Sequence, residues 1–254
     1  METRSEQAKA TIRNLVIANK ILAAQGVVDA YGHVSARNPD NPETYFLSQS
    51  RSPDLVSEDD IMEYDLDSEP INQNGRPMYS ERPIHGCLYK SRPDVNSVCH
   101  SHAYALVPFS VTDNPIRPIW VMSGAIGAEV PIWDIREEFG LRTNMLVTDN
   151  KKGSSLARKL GARTCCMMRG HGAAIATRDL RLTVLVAVSL MLNATMLMQA
   201  MSIGKSVNYL TEDEIAGLTD VLTGDRTLGR AWQYWAHTVG FEVGYDPTNL
   251  SLNP

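Results

Sequence analysis

Two histidines have the spacing that a metal site requires. His100 and His102 are separated by one residue in residues 95–102, a run of small and apolar side chains that follows the turn signal Arg92-Pro93-Asp94. This run predicts a strand, and side chains two apart on a strand project from the same face. Two neighbouring imidazoles form half of a divalent-metal site, although an H-x-H motif alone is more often a pair of structural histidines.

A third histidine and a carboxylate favour the metal site. His171 lies in a glycine-flanked turn after the apolar run of residues 165–168, and Glu81 opens a predicted helix upstream of the H-x-H strand. Three imidazoles and a carboxylate suit zinc, manganese, iron or cobalt, and ligand type alone does not choose among them. Glu81 is either a fourth ligand or a proton carrier. His85 either orients Glu81 or a ligand, or is an ordinary helix histidine with its hydrogen bonds satisfied.

A polar loop supplies groups that bind anions. Residues 48–53 contain Ser48, two further serines and the guanidinium of Arg51. Hydroxyls, backbone donors and one guanidinium are the parts of an anion pocket. An ordinary solvated loop is an equally good interpretation of these residues.

Composition limits the possible partners. The chain has 254 residues, 43% of them hydrophobic, a net charge of −5 and a pI near 5.7. An acidic chain without a stripe of lysines and arginines is not expected to bind nucleic acid. Its four cysteines lack metal-site spacing and suit reduced core thiols. With a polar N-terminus, the expectation is a cytoplasmic enzyme with a small-molecule substrate.

One segment resembles a membrane span. Residues 183–201 carry no charge and are nearly long enough to cross a bilayer. However, five polar residues interrupt the segment, and no aromatic belt or basic flank accompanies it. A helix buried between layers or between subunits is the better interpretation, and no membrane association is expected.

Alternating helix and strand patterns must position these side chains. Helices are predicted over residues 6–25, from Ser80 as N-cap to about residue 91, and over residues 154–160, 179–203 and from 211 onward. Strands are predicted around residues 31–37, 45–47, 61–67, 95–102, 165–168 and 173–176. The alternation has no linker, so we expect a single α/β domain over residues 1–254 with helices covering a central sheet. The long helices argue against a cupin, which also carries H-x-H but is an all-β jelly roll.

Four motifs in a fixed order resemble the class II aldolase/adducin family. They are Gly32-His33-Val34-Ser35, Ser80-Glu81, the run from Arg92-Pro93-Asp94 to His100-Ser101-His102, and Arg169-Gly170-His171-Gly172. The resemblance covers roughly residues 8–205. It implies a three-layer αβα fold, a central mixed, mainly antiparallel sheet, and a homotetramer with interfacial active sites. It also implies one divalent ion per subunit, held by His100, His102 and His171, with Glu81 as ligand or acid/base.

Departures from the sugar-phosphate aldolases point to a different substrate. Those enzymes carry Gly-Asn where this chain has Gly32-His33, and a Ser-Ser pair where it has Tyr79-Ser80. A phosphorylated sugar is therefore not expected. The Arg51 loop and the aromatic tail, with Trp232 and Tyr234 in residues 211–254, instead resemble decarboxylases of hydroxymethylpyridine-dicarboxylate and dihydroxyphthalate. Aromatic side chains can wall a planar substrate, although ordinary helix packing explains them equally well.

The resemblance favours a carbon–carbon lyase that decarboxylates a hydroxylated aromatic or heteroaromatic dicarboxylate. In that hypothesis Arg51, with His33, holds one carboxylate, Ser48 and Ser80 line the substrate pocket, and Glu81 delivers a proton to carbon. Trp232 and Tyr234 supply ring-binding surface. The alternatives are an aldolase or epimerase for a small non-phosphorylated hydroxy-carbonyl compound, a non-catalytic adducin-like domain, and an iron-dependent oxidative cleavage.

Overall fold

The computed structural model describes residues 4–204 and 206–244. Its strands form one seven-stranded sheet in the order β3-β2-β1-β4-β7-β6-β5, in which only the β5–β6 pair is parallel. The strands are β1 His33–Arg37, β2 Thr44–Ser48, β3 Ile61–Asp65, β4 Ser97–Ser101, β5 Ile132–Trp133, β6 Cys165–Met168 and β7 Gly172–Thr177. The mixed, mainly antiparallel sheet predicted from the sequence is confirmed.

Helices cover both faces of this sheet. They are α1 Glu6–Ala24, α2 Pro83–Ser91, α3 Val107–Ser110, α4 Arg136–Phe139, α5 Asn150–Leu160, α6 Leu180–Ile203, α7 Glu212–Thr223 and α8 Asp225–Thr238. Helices α1, α6 and α8 bury their apolar side chains in one core layer, and α2 and α5 bury theirs in the other. This is the expected three-layer αβα arrangement. Of the predicted tail, residues 245–254 lie outside the described residues.

Alternation along β1 and β4 decides which layer receives each side chain. Cys99 packs in the α1/α6 layer, whereas Val98 packs in the α2/α5 layer. By the two-residue period of a strand, His100 therefore projects into the α2/α5 layer. Its antiparallel partner in β1 is His33. The two imidazoles consequently start from neighbouring positions at one end of the sheet.

Helix α6 is long and apolar enough to cross a membrane by length and composition. In the structure, 67% of its most apolar 18-residue stretch is buried inside the fold. Val184, Leu185 and Leu197 are among the side chains that it contributes to the core. This burial agrees with the interpretation of residues 179–203 as a core helix.

Helix α2 begins later than the sequence suggests. Ser80 was predicted as its N-cap, but the helix starts at Pro83, and Ser80 is exposed two residues before the true capping position. Proline suits the first helical turn because its missing N–H would lack an intrahelical partner there. Glu81 therefore lies in a turn before the helix, where its carbonyl oxygen accepts the Ile84 amide.

The backbone of β4 leaves no room for a side chain at Gly172. A Cβ at this position would lie 1.9 Å from the backbone oxygen of Ser101, so even alanine would force β4 and β7 apart beside His171. We expect Gly172→Ala to destabilise the protein by about 1–3 kcal/mol or more and to weaken metal binding. Chemical denaturation and metal titration measure both effects. Gly217→Ala, in open space on α7, is the control and should be neutral or stabilising.

Candidate metal centre

Four side chains from distant parts of the chain converge at the end of β4. One ligand atom from each of Glu81, His100, His102 and His171 lies within 4.8 Å of all the others. The His102 Nε2 atom is 2.8 Å from His100 Nε2 and 3.2 Å from His171 Nε2. Glu81 Oε2 is 3.5 Å from His100 Nε2 and 3.4 Å from His171 Nε2. The structure thus brings together all four residues that the sequence predicted as ligands.

Local structure determines where each side chain projects. His100 is the penultimate residue of β4, and His102 follows immediately after the strand. His171 lies in the tight turn between β6 and β7, which Gly170 allows because it adopts a φ of +63°. Glu81 is fixed from the other side, since its Oε1 accepts the Val147 amide at 2.8 Å.

The hydrogen bonds of two imidazoles leave their Nε2 atoms free to coordinate. The Nδ1 atom of His100 lies 3.2 Å from the Ala173 carbonyl oxygen, and that of His171 lies 3.2 Å from the Met145 carbonyl oxygen. A carbonyl only accepts, so in each ring Nδ1 carries the hydrogen and Nε2 presents its lone pair. Metal-binding histidines are commonly oriented in this way.

The spacing of these four atoms fits a first-row divalent ion. Ligand atoms about 2.1 Å from a tetrahedral ion lie about 3.4 Å apart. The four separations given above, 2.8 to 3.5 Å, are close to this value, and all four ligand atoms lie within 4.8 Å of one another. Converging lone pairs repel one another unless a cation lies between them. The cluster is therefore a candidate divalent-metal site.

The ionisation of the cluster suits a cation. Burial opposes charge on Glu81. When His100 and His171 carry a hydrogen on Nε2 instead of binding a cation, their hydrogen bonds hold the pKa of its carboxyl well below the usual value. Glu81 is therefore a carboxylate at neutral pH. Burial, reinforced by His100 and His171, lowers the pKa of His102 to about 4, which keeps that ring neutral and able to donate its lone pair.

His33 borders the cluster. Its ring centroid lies 5.1 Å from that of His100 and 4.4 Å from that of Tyr79. Its Nδ1 atom is 2.6 Å from Nε2 of His85. His85 therefore contacts His33 and not, as one interpretation of the sequence had it, Glu81. Burial, with neighbouring His85 and His100, lowers the pKa of His33 well below its usual value.

The polar loop that follows β2 reaches His33 through Tyr79. The Tyr79 hydroxyl donates to the Arg51 carbonyl oxygen and lies 3.2 Å from Ser48 Oγ. The Arg51 guanidinium contacts both carboxylate oxygens of Asp60 at 3.1 Å, and its side chain is 45% exposed. Burial alone would raise the pKa of Asp60, but hydrogen bonds, including that from Arg51, lower it to about 2. Arg51 is thus already paired with an ionised partner.

Two predicted substrate residues lie away from the cluster within this chain. Trp232 is buried in the α1/α6 core layer, on the opposite face of the sheet from His100. Tyr234 is 66% exposed on α8. Their assignment to substrate binding stays a prediction, as does that of the exposed Ser80.

Sequence reasoning missed three residues around this centre. Tyr79 joins His33 to the loop. Ser35 hydrogen-bonds to His85, and Tyr89 hydrogen-bonds to Ser35. A signal for the last two was present, because Ser35 is two residues beyond His33 on a strand and Tyr89 is four beyond His85 on a helix. Both spacings place side chains on one face. Tyr79 was noted only as a departure from the Ser-Ser pair of the sugar-phosphate aldolases, and nothing in the sequence indicated its contact with His33.

Comparison with known proteins agrees with this geometry. The family described as Class II Aldolase and Adducin N-terminal domain matches residues 13–198. The decarboxylase tropJ of Talaromyces stipitatus is 32% identical, over 96% of this chain and 98% of that protein. The 3,4-dihydroxyphthalate decarboxylase of Arthrobacter keyseri is 27% identical, over 87% and 90%.

A solved structure shares the fold. The L-fuculose 1-phosphate aldolase of Glaciozyma antarctica superposes with a TM-score of 0.77 at 18% identity, covering 94% of this chain and 92% of that one. At this level of identity the likeness supports the architecture and not a particular reaction.

Proposed function

Because this chain belongs to the class II aldolase and adducin family, we propose that it is a divalent-metal-dependent lyase that decarboxylates a hydroxylated aromatic or heteroaromatic dicarboxylate. The observation that carries this proposal is the convergence of Glu81 and three histidine Nε2 atoms in a chain whose near-full-length relatives include decarboxylases. A non-catalytic adducin-like domain would have no physical need for such a donor set.

His100, His102, His171 and Glu81 would hold one zinc, manganese, iron or cobalt ion in each subunit. When bound, such an ion supplies Lewis acidity that stabilises negative charge on oxygen. The hydrogen bonds from His100 and His171 to backbone carbonyls keep these two rings in the orientation and tautomer that coordination needs.

Glu81 would move the proton. As a carboxylate beside the site, Glu81 would first accept the proton of a ring hydroxyl adjacent to the carboxylate that is lost. The same proton is then delivered to the ring carbon as the bond to the carboxyl carbon breaks. The electron pair of that bond returns to the ring, and the products are carbon dioxide and a phenolate that takes a proton from water. One carboxylate thus serves as base and then as acid.

Arg51 and His33 would anchor the second carboxylate, with Ser48 and Ser80 lining the same pocket. The Arg51 side chain is partly exposed, and Nη1 is its contact with Asp60, so the rest of the fork can reach a substrate. Charge-assisted contacts from a guanidinium suit a dianion in an acidic protein. Tyr79 ties the Arg51 backbone to the side of the pocket that His33 forms.

Replacing Arg51 tests this anchor. Arg51→Ala should weaken substrate binding by about 1.5–3 kcal/mol, seen as a raised KM with a smaller change in kcat. Arg51→Lys keeps the charge but not the forked guanidinium, so its KM should lie between those of Arg51→Ala and the wild type. Steady-state kinetics with a dicarboxylate substrate is the measurement. An unchanged KM in Arg51→Ala would remove Arg51 from the site.

We further propose a cytoplasmic homotetramer with sites at subunit interfaces. The described residues leave Tyr31 67% and Tyr104 78% exposed beside the cluster, where Tyr31 stacks on His102. A neighbouring subunit would cover such aromatic side chains, and the exposed face of the tail that carries Tyr234 would contribute to that contact. The four cysteines are buried and free, which suits a reducing compartment. Light scattering of the purified protein tests the assembly, and a monomer at micromolar concentration would contradict it.

The activity itself is tested with a panel of substrates. Metal-loaded protein is mixed with dihydroxyphthalates, hydroxypyridine dicarboxylates and non-phosphorylated hydroxy-carbonyl compounds, and released carbon dioxide and aldehyde are measured. We expect carbon dioxide from at least one hydroxylated dicarboxylate and a ring product that has lost one carboxyl group. Aldehyde from a hydroxy-carbonyl donor, with no carbon dioxide across the panel, would instead establish an aldolase.

A further inference from the structure

A chain of buried hydrogen bonds lies behind His33 and is not part of the predicted ligand set. His85 Nε2 is 2.6 Å from His33 Nδ1, and His85 Nδ1 is 2.6 Å from Ser35 Oγ. Ser35 Oγ is in turn 2.7 Å from the Tyr89 hydroxyl. None of the four residues is more than 4% exposed. Buried polar groups of this kind must satisfy one another, so their hydrogens can be assigned.

The assignment begins at Tyr89. Burial raises the pKa of its hydroxyl, which therefore keeps its hydrogen, and Ser35 Oγ is the acceptor that the described residues offer it. The Ser35 hydroxyl then has two choices, His85 Nδ1 at 2.6 Å or the Val98 carbonyl oxygen at 3.5 Å. The shorter contact is the stronger hydrogen bond, so Ser35 donates to His85.

The donor from Ser35 fixes the position of the ring hydrogen in His85 and then in His33. A His85 ring that accepts at Nδ1 and remains neutral in its buried position bears its hydrogen on Nε2, from which it donates to His33 Nδ1. A His33 ring that accepts at Nδ1 must bear its own hydrogen on Nε2. That nitrogen is the one left for a ligand beside the metal cluster.

We propose that Tyr89, Ser35 and His85 are positioning residues that hold His33 as its Nε2–H tautomer, so that His33 offers a donor to a substrate carboxylate. The proposal rests on the proposed function for the identity of that ligand. The other tautomer would turn a lone pair toward the anion and repel it. Tyr89, Ser35 and His85 would therefore favour substrates that carry a second carboxylate, without contacting that carboxylate themselves.

The tautomer can be read directly. In zinc-loaded protein labelled with ¹⁵N-histidine, nitrogen chemical shifts distinguish protonated from bare ring nitrogens. His33→Asn and His85→Gln variants, each lacking one set of signals, assign the nitrogen resonances to the two rings. We expect hydrogen on Nε2 and a bare Nδ1 in both His33 and His85. Hydrogen on Nδ1 of either ring would overturn the proposal.

Ligand binding tests the consequence with a matched pair of serines. Ser35→Ala removes the donor to His85, whereas Ser97→Ala removes another buried hydroxyl, one that donates to the Ser35 carbonyl oxygen. Calorimetry compares phthalate with benzoate, neither of which has a hydroxyl to react. Ser35→Ala should weaken phthalate binding about ten-fold or more and leave benzoate binding and zinc content unchanged. Ser97→Ala should change neither affinity.

Two substitutions of His85 distinguish a hydrogen-bonding role of this residue from a packing role. His85→Gln retains a donor near the place of Nε2 and should recover part of the phthalate affinity, whereas His85→Leu should not. Equal effects of Ser35→Ala and Ser97→Ala would contradict the inference. Wild-type protein that binds neither carboxylate would count against the proposed function, and the tautomer measurement would still decide the inference by itself.

Discussion

Replacing His100 by alanine should remove bound metal and catalytic activity together. His100 is fully buried. Its Nε2 atom lies 2.8 Å from Nε2 of His102 and 3.5 Å from Oε2 of Glu81. Removing a residue that only hydrogen-bonds to a metal ligand already lowers metal affinity by roughly 10–100-fold. Removing a ligand should therefore lower metal affinity by at least about 100-fold. Metal content after dialysis, by mass spectrometry, and carbon dioxide release measure the two losses.

The controls for this experiment separate coordination from folding. His102→Ala changes a less buried ligand and should lose metal while keeping the fold, as judged by circular dichroism. His237→Ala changes an exposed histidine on α8 that pairs with Glu242, and it should retain full metal and activity. Stoichiometric metal in both His100→Ala and His102→Ala would refute the ligand assignment.

Replacing Glu81 by glutamine should abolish most turnover. Glutamine keeps the shape and the oxygen that accepts the Val147 amide, but it cannot take a proton from a ring hydroxyl and pass it to carbon. General acid–base catalysis contributes about 10²–10⁴-fold, and kcat should fall by that factor. Glu137→Gln, which alters an exposed carboxylate on α4, should be silent.

This measurement is made at saturating metal, because Glu81 is also a predicted ligand. Turnover in deuterium oxide adds a second readout, since wild-type protein should place solvent-derived deuterium at the carbon that loses its carboxyl group. A Glu81→Gln variant whose kcat remains within about three-fold of wild type would assign the proton transfer to another group.

The alternation of helices and strands and the shared face of His100 and His102 were predictable from short-range rules, whereas the meeting of Glu81 and His171 with them was implied by the resemblance to the class II aldolase/adducin family. The two-residue period of a strand places His100 on one face, and Gly170 and Gly172 permit the turn that carries His171 to it. The order of helices and strands likewise predicted sheet and layers. These signals are local, so they are visible in a single sequence.

The missed features depend on contacts between distant segments. The pairing of Arg51 with Asp60 and the chain from His33 through His85 to Ser35 join separate elements whose docking the sequence does not specify. The start of α2 was misjudged because Ser80 has the side chain of a cap, whereas Pro83 determines the first turn. The aromatic residues of α8 carried no signal for which face of the sheet they would cover.

The most direct test is a crystal structure of the purified protein recorded at the absorption edge of the metal it contains. We expect one anomalous peak per chain, about 2.0–2.2 Å from Nε2 of His100, His102 and His171, with Glu81 at bonding distance or linked through one water. Protein that is active without a metal ion, or a peak at any other group of residues, would contradict this expectation.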